Sequence, residues 1–569
     1  MSMRPLVLAT LFAVSGAAVA STPVRVAAAQ YAHVQEERYL ADKDAGEHAS
    51  KAQLQKAAAR LEAALGYLAK PEVHERATGD LGLYYRGYDV RFDLASVYAR
   101  LGEKDKALTM LEQTLRFSYN PGIMETIAKD KAFAGLLSEP RFQTLMAEAA
   151  TPNRVWGGSA FETPYRDKLT VQERVAGLSL FWSEARHSFV HFSHVPDLDW
   201  NKTYLLYLDK VMAAETTRDY YRVLMQLGPL LQDGHTNIYP PQELIDEFYA
   251  GPPVVTALVE GKVIVLRVDS PALARQLQVG DEIVAVDGQP VRDYAERNVA
   301  PFVSASTSQD RDVRLYSYQF LSGAAATPVK LRVRSANQVE RDEVVARSGY
   351  TDISRNETGG VRMLPGGVAY LAVNQFENDA GLKAFEQALP QIMKAKGLVI
   401  DVRDNGGGSS HFGYAILSYL SRAPLATSAS DTRAADALWR AQSGPAIRWA
   451  PMPSSPYSYK HAQVYTGPVA VLTGPKTFSA GEDFVLAFEL MKRGKIIGRA
   501  TAGSTGQPLQ FGMPGGGVAR VCVKRDTYPD GRAFVGKGIA PNIVVLPTVA
   551  DVRSGRDATL ERALAELKR

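Results

Sequence analysis

Residues 464–507 read VYTGPVAVLTGPKTFSAGEDFVLAFELMKRGKIIGRATAGSTGQ. The apolar run from Val469 to Leu472 ends in turn residues at 473–475, which predicts a buried strand followed by a turn. Ser479 then opens an apolar helical pattern that continues to Leu490. A serine held where a strand feeds a helix suits a nucleophile, because the free N–H groups and positive dipole end of the helix favour negative charge beside it.

The same serine also fits a helix cap. Serine is a preferred N-cap residue, and Glu482, three residues further on, would complete a capping box. This segment therefore leaves both interpretations open, and an argument for catalysis has to come from other parts of the chain.

Length and composition indicate a multidomain globular protein. At 569 residues the chain is too long for one core, and its length suggests roughly three or four domains. Apolar residues make up 46% and charged residues 22% of the sequence. The formal charge of +4 is small against 65 basic and 61 acidic residues, so no nucleic-acid partner is expected.

The first twenty residues predict a secretory signal peptide. Arg4 precedes an apolar stretch from Leu6 to Val14, and small residues end at Ala20, where we place the cleavage. An uncleaved anchor is the alternative, and no other window is apolar for long enough to span a membrane. We therefore expect an exported protein, periplasmic or extracellular. The single cysteine, Cys522, lies in a strand-like run and is expected to be buried without a disulfide.

Residues 21–152 are predicted to be helical. Small and large packing residues fall at the offsets of a tetratricopeptide hairpin, with Leu101-Gly102 at the turn between its helices. These residues are Ala95, Tyr98, Ala107, Leu111 and Thr114. The segment resembles a short tetratricopeptide-like domain, and packing against the rest of the chain is favoured over a partner-binding scaffold.

A second helical subdomain is predicted over residues 153–245. It carries His187, His191 and His194 at spacings of four and three, which can bring metal ligands onto one helix face. The surrounding sequence is rich in aromatic core residues, and no fourth ligand is near in the sequence. We therefore expect structural histidines and neither a metal nor a cofactor.

The periodicity changes to that of strands in residues 246–348. Alternation from Val254 to Val268 is followed by a turn, a short helix and the segment LQVGDEIVAVDGQPV, residues 277–291. This segment resembles a PDZ domain. The resemblance implies binding of an extended peptide at a sheet edge with capture of its C-terminal carboxylate.

A glycine-rich loop follows a buried strand in the next region. The pattern from Gly366 is strand, helix, strand, and the second strand, residues 397–402, runs directly into Arg403-Asp-Asn-Gly-Gly-Gly408. Successive glycines let the backbone approach a ligand closely and point N–H groups outward. A phosphate loop would end in Gly-Lys-Ser/Thr, which is absent here, so an oxyanion hole fits better.

These motifs occur in a fixed order: DVRDNGGG, then TFSAGE about 70 residues later, then AGSTGQ. Together they resemble the tail-specific, or C-terminal processing, serine proteases. The likeness extends from about Thr163 to Val545 and includes the PDZ-like insertion. It implies a multidomain α+β protein with an α/β crotonase/ClpP-like protease core over residues 349–550. Beyond the core, the apolar spacing of Leu560, Ala563, Leu564 and Leu567 predicts a terminal amphipathic helix over residues 551–569. A polypeptide substrate, selected by its C-terminal tail, is the implied partner.

The resemblance also implies roles for individual residues. One branch of the family uses a serine–lysine dyad, but the position of the lysine is Ser504 here. The tricorn-like branch uses a histidine, and Gln232-Asp-Gly-His-Thr236 resembles its Asp-Gly-His-Thr element. Ser479 is then the nucleophile and His235 the base. The implied oxyanion donors are the N–H groups of Gly407 and Ala480, with Gly406 and Gly408 as near equivalents.

The group that orients His235 is left open by the sequence. In the tricorn-like branch a serine precedes the histidine and a glutamate near the end of the core completes a tetrad, whereas this chain has Gly234 and the stretch Val535–Gly538 there. Asp233 or a backbone carbonyl can take over that role. Because the tetrad is incomplete, a non-catalytic protein that binds peptides or hydrophobic ligands is the alternative.

Overall fold

The computed structural model describes residues 22–79, 81–115, 126–156, 160–352, 360–435, 437–444, 447–452, 456–457 and 461–568. The predicted signal peptide, residues 1–20, lies outside these ranges. Within them, no helix combines the length and the apolar character needed to cross a bilayer.

The N-terminal region is helical, as predicted. Its helices are Thr22–Asp44, Lys51–Leu68, Pro71–Gly79, Leu81–Leu101, Lys104–Leu115 and Pro140–Trp156. The five predicted packing residues are all buried, and Gly102 ends a helix with a left-handed φ of +79°. The tetratricopeptide-like character of this region stays a prediction.

The second helical region packs four helices around aromatic residues such as Phe181 and Tyr221. The helices are Val171–Ser188, Trp200–Ala213, Thr217–Leu224 and Leu227–Leu230. His187 lies near the end of the first helix, whereas His191 and His194 follow it, around a short 3-10 turn. The three histidines therefore do not share one helix face, because the helix ends at Ser188.

A small antiparallel sheet joins this region to the distant core. Strand Asn237–Tyr239 pairs with Gly517–Cys522, opposing Asn237 to Arg520, and Gly517–Cys522 pairs in turn with Pro508–Met513. Cys522 is fully buried in this sheet, as predicted. The pairing places the turn before Asn237 next to the core.

A β-rich unit follows, with short helices around its sheet. Its strands are Val254–Val259, Lys262–Val268, Glu282–Val286, Gln289–Pro290, Val329–Arg334 and Glu340–Val345. The five longer strands lie in chain order in one antiparallel sheet, whose edges are Val254–Val259 and Glu340–Val345. Its short helices are Ile245–Phe248, Val291–Tyr294 and Ser308–Val313.

The core is a six-stranded sheet covered by helices. Its strand order is Ile543–Val544, Gly494–Gly498, Val469–Thr473, Gly397–Asp401, Val368–Ala372 and Arg362–Leu364, with only the last strand antiparallel. The central strands are buried throughout, as their continuous apolar runs predict. Helices Ala380–Gln387, Leu389–Ile392, Ser410–Ser418 and Ala480–Met491 pack on this sheet. A second sheet contains Ala429–Ala435, Ile447–Met452 and Arg525–Thr527, and the short helix Ala437–Ala441 lies between its first two strands in the chain.

The chain ends in two helices, Val549–Ser554 and Ala558–Glu566. The second packs on the core sheet through the buried Ala563, as its apolar spacing predicts. The predicted single helix over residues 551–569 is interrupted at Gly555, which is left-handed and ends the first helix. Arg403, at the end of strand Gly397–Asp401, binds the Asp557 carboxylate through two N–H groups at 2.9 and 2.7 Å. This bidentate pair fixes the terminal helix beside the glycine-rich loop.

Candidate active site

Ser479 lies at the carboxyl end of a central parallel strand, in the turn before the helix Ala480–Met491. Its backbone has φ 54° and ψ −124°, a conformation that L residues rarely adopt and that costs about 1–3 kcal/mol. Bonds from Thr477 Oγ1 to the Val402 carbonyl and from the Phe478 N–H to the Asn405 carbonyl hold the turn. The half-buried serine is therefore held in a strained turn by neighbouring strands.

The interpretation of Ser479 as a side-chain helix cap is wrong. Its hydroxyl makes no capping hydrogen bond, and the Glu482 side chain does not complete a capping box. The strained backbone turns the side chain away from the first helical N–H groups. The hydroxyl instead lies 3.1 Å from Nε2 of His235.

The turn Asp233–Thr236, here called the histidine turn, carries the predicted base. His235 is 4% exposed, and its ring stacks on Phe478 with centroids 4.5 Å apart. The strand that follows the turn pairs with Gly517–Cys522, which brings the histidine across 244 residues of sequence to Ser479. The structure therefore places the expected nucleophile and the expected base within hydrogen-bond distance of each other.

The second ring nitrogen of His235 faces Ser504. Nδ1 lies 3.1 Å from Ser504 Oγ, and the Ser504 N–H donates to Glu482 Oε2 at 2.7 Å. Glu482 Oε1 accepts from the Gly503 N–H at 2.8 Å and from Thr501 Oγ1 at 2.5 Å. A buried serine and a buried glutamate therefore stand behind the histidine.

The sequence motifs do not identify either residue as a partner of the histidine. They mark Ser504 as the position that lacks the dyad lysine and Glu482 as part of a helix cap. Both residues lie in the segment 464–507 that contains the nucleophile, which is the one indication of their role in the sequence. The order of residues along the chain does not indicate that Ser504 contacts His235.

Asp233, one of the candidates for orienting His235, does not act on the imidazole ring. Its Oδ2 accepts from the His235 backbone N–H at 3.2 Å and from Thr236 Oγ1 at 2.6 Å. The carboxylate therefore closes the histidine turn on its own backbone. Gly234 leaves room for the actual partner, because a Cβ at this position would lie 2.7 Å from Ser504 Oγ.

Burial and charge keep the His235 ring neutral. Burial lowers the pKa of His235 well below its usual value, and the nearby cations Arg520 and Arg314 add to the effect. A neutral imidazole can accept a proton from a hydroxyl. Burial also raises the pKa of Glu482 to about 8, against three hydrogen bonds that favour its ionised form.

The glycine loop, residues 405–408, lies directly beside the serine. A Cβ at Gly407 would approach Ser479 Cβ to 2.7 Å and Ala480 N to 3.2 Å. The Gly407 N–H donates to Asn405 Oδ1 at 2.9 Å, and the Gly406 N–H points to the Asn374 carbonyl at 3.4 Å. These two predicted oxyanion donors are therefore engaged within the loop.

Two other N–H groups have no acceptor among the residues that the structure describes, those of Ala480 and Gly408. The Gly407 carbonyl accepts from the Phe376 N–H at 2.6 Å. Because a trans peptide points its N–H opposite to its carbonyl, the Gly408 N–H faces away from Phe376. The geometry thus retains Ala480 from the predicted donors and favours Gly408 over Gly406 and Gly407.

The comparisons with known proteins agree on one family. Residues 367–545 match peptidase family S41, and residues 258–330 match a domain described as the N-terminal domain of the S41 peptidase family from Bacteroidetes. A protein named tricorn protease homolog 2, from Streptomyces coelicolor, is 25% identical over 311 residues. That alignment covers 52% of this chain and 22% of the relative's length.

Solved structures show the same fold. Mature CPAF complexed with lactacystin has a TM-score of 0.56 at 15% identity, covering 70% of this chain and 98% of that chain. Mature CPAF alone has a TM-score of 0.52 at 16% identity, covering 67% and 94%. Residues 367–545 thus match peptidase family S41, a family of serine-type peptidases.

Proposed function

We propose that this protein is a serine endopeptidase in which Ser479 is the nucleophile and His235 the general base. The observation that carries the proposal is the 3.1 Å contact between Ser479 Oγ and His235 Nε2, made between two segments that are distant in sequence. Separation within hydrogen-bond reach is the first requirement for a nucleophile and its base.

The chemistry follows the acyl-enzyme route. Ser479 Oγ attacks the peptide carbonyl carbon while its proton passes to His235 Nε2, and the tetrahedral oxyanion binds the N–H groups of Ala480 and Gly408. The C–N bond then breaks as His235 protonates the leaving amine. Water, deprotonated by the same histidine, attacks the ester carbon and releases the new carboxylate and the serine.

Ser504 and Glu482 act as positioning residues in this scheme. With Ser504 Oγ accepting from Nδ1–H, the lone pair on Nε2 faces Ser479, which is the tautomer a base needs. Glu482 holds the Ser504 backbone, and as a carboxylate it supplies negative charge when the imidazolium forms. They take the place of the serine and glutamate of the tricorn-like branch.

Two substitutions test the assignment. Ser479→Ala and His235→Ala should each abolish cleavage of a denatured protein substrate, while circular dichroism and melting temperature stay near those of the unaltered chain. Full turnover in His235→Ala, with none in Ser479→Ala, would show that His235 is not the general base.

Covalent labelling of the serine distinguishes an enzyme from a binding protein without catalytic activity. A fluorophosphonate probe should label the unaltered chain at Ser479 and leave Ser479→Ala unlabelled. A properly folded chain that shows neither labelling nor cleavage would instead support a receptor for peptides or hydrophobic ligands.

We also propose that residues 246–348 select substrates by their C-terminal tails. The unit contains an antiparallel sheet with two edge strands, the kind of surface to which an extended peptide adds. A peptide with a free apolar C-terminus should therefore be cleaved faster than its amide, and equal rates would argue against this role. Export, which rests on the pattern of residues 1–20, is likewise a proposal.

A further inference from the structure

A buried cluster of three potential metal ligands lies behind the histidine turn. One imidazole nitrogen of His191, a carboxylate oxygen of Asp233 and the Cys522 sulfur lie within 4.8 Å of one another. The three residues are 1%, 1% and 0% exposed. Imidazole, carboxylate and thiolate are the ligand types of Zn²⁺ sites, and they come here from three different segments of the chain.

A second observation points to a ligand at this place. Nε2 of His191 is buried and has no hydrogen-bond partner among the described residues. A buried polar atom without a partner is destabilising, so it calls for an explanation such as a bound ion or water molecule. A bound cation would satisfy this nitrogen, although the aromatic residues around the histidines predict core packing.

The spacing and the charges fit a divalent cation. Tetrahedral Zn²⁺, with bonds of about 2.0–2.3 Å, holds its ligand atoms about 3.3–3.8 Å apart, so the three side chains need to close by only about 1 Å. One carboxylate and one thiolate together balance the two positive charges of the ion. The His194 ring, whose centroid is 4.8 Å from that of His191, or a water molecule can complete the coordination.

A cavity lies beside the cluster. It has a volume of about 650 Å³ and is lined by Gln232, Ser306 and Gly536, among other residues. Ser306 Oγ lies 3.4 Å from Asp233 Oδ1, and a Cβ added at Gly536 would lie 3.1 Å from Cε1 of His194. The wall of the cavity therefore contacts Asp233.

We infer that His191, Asp233 and Cys522 bind one Zn²⁺ ion, which clamps the second helical region to the strand Gly517–Cys522. Binding replaces the thiol proton of Cys522 with the metal and releases it to solvent. The site adjoins the Ser479–His235 pair, because Asp233 Oδ2 also accepts from the His235 backbone N–H. Its existence does not depend on peptidase activity.

Co²⁺ provides a sharp test, because Cys522 is the only cysteine in the chain. Titration of Co²⁺ into the chelator-treated full chain should produce a thiolate-to-cobalt charge-transfer band that saturates at one equivalent and is displaced by Zn²⁺. Cys522→Ser should lose the band, and His191→Ala should weaken binding at least about tenfold. His187→Ala is the matched control and should bind normally, because its ring lies outside the cluster and bonds to the Ser183 carbonyl.

A measurement on the unaltered chain covers the case in which a variant fails to fold. Zn²⁺ should release one proton per chain and raise the melting temperature, and a chelator should reverse the rise. No charge-transfer band at saturating Co²⁺, or a band of unchanged affinity in His191→Ala, would overturn the inference. Proton release without a rise in melting temperature would equally contradict the proposed clamp.

Discussion

Replacing Gly407 by alanine tests whether the glycine loop serves the chemistry at Ser479. The residue has φ +98°, and a Cβ there would lie 2.7 Å from Ser479 Cβ, 3.0 Å from the Phe478 carbonyl and 3.2 Å from Ala480 N. The first two distances require movement of the serine or of the loop. Either movement shifts the nucleophile away from the N–H groups that would receive the oxyanion.

The structure sets the scale of the effect. Loss of one oxyanion donor typically lowers turnover about 10²–10³-fold. The left-handed backbone adds about 1–3 kcal/mol of strain, and each kcal/mol lowers the melting temperature by about 2–4 °C in a domain of about 200 residues. Gly407→Ala should therefore reduce kcat/KM at least about 100-fold and lower the melting temperature by a few degrees.

Gly406 supplies the matched control. It belongs to the same loop and is exposed, and a Cβ there would meet no atom within 4 Å. Gly406→Ala should keep kcat/KM within a few-fold of the unaltered chain, measured with a fluorogenic peptide alongside the rate of fluorophosphonate labelling. Similar losses in both variants, or full activity in Gly407→Ala, would refute the argument that close approach at Gly407 protects the site.

Three further changes probe the support of His235. Ser504→Ala removes the hydrogen-bond partner of His235 Nδ1 and should lower kcat by about tenfold to a hundredfold with little change in KM. An unchanged kcat would show that Ser504 does not position the histidine. Gly234→Ser places a Cβ 2.7 Å from Ser504 Oγ and should inactivate the enzyme. Adding Ser504→Gly removes this clash and should restore part of the rate. An active Gly234→Ser variant would contradict the close packing of Gly234 against Ser504. Burial raises the pKa of Glu482 to about 8, so its stabilising negative charge develops only as pH rises through that value. The pH profile of kcat should therefore show an increase near pH 8, and the profile of Glu482→Gln should lack it. The same raised pKa predicts that stability falls as pH rises from about 4.5 towards 8, and urea unfolding of Glu482→Gln should not show this fall.

The sequence by itself determined the local frame of the site. The apolar run before Ser479, the turn residues and the helical pattern after it correspond to strand Val469–Thr473 and helix Ala480–Met491. Such patterns are readable because burial of a strand or helix depends on residues that are close along the chain. The glycines at 406–408 likewise marked the loop that approaches the serine.

Tertiary structure decided how the histidine is supported. The pairing of Asn237–Tyr239 with Gly517–Cys522 brings His235 to Ser479, and packing of residues 501–504 against Glu482 delivers Ser504 to the other ring nitrogen. These contacts join residues separated by 244 and 269 positions, and no local period encodes them. Glu482 fits a cap of Ser479, and Asp233 fits an orienting group for His235, because each is close to its supposed partner in sequence. Long-range packing instead places Glu482 against the Ser504 backbone, and Asp233 bonds to the backbone of the histidine turn.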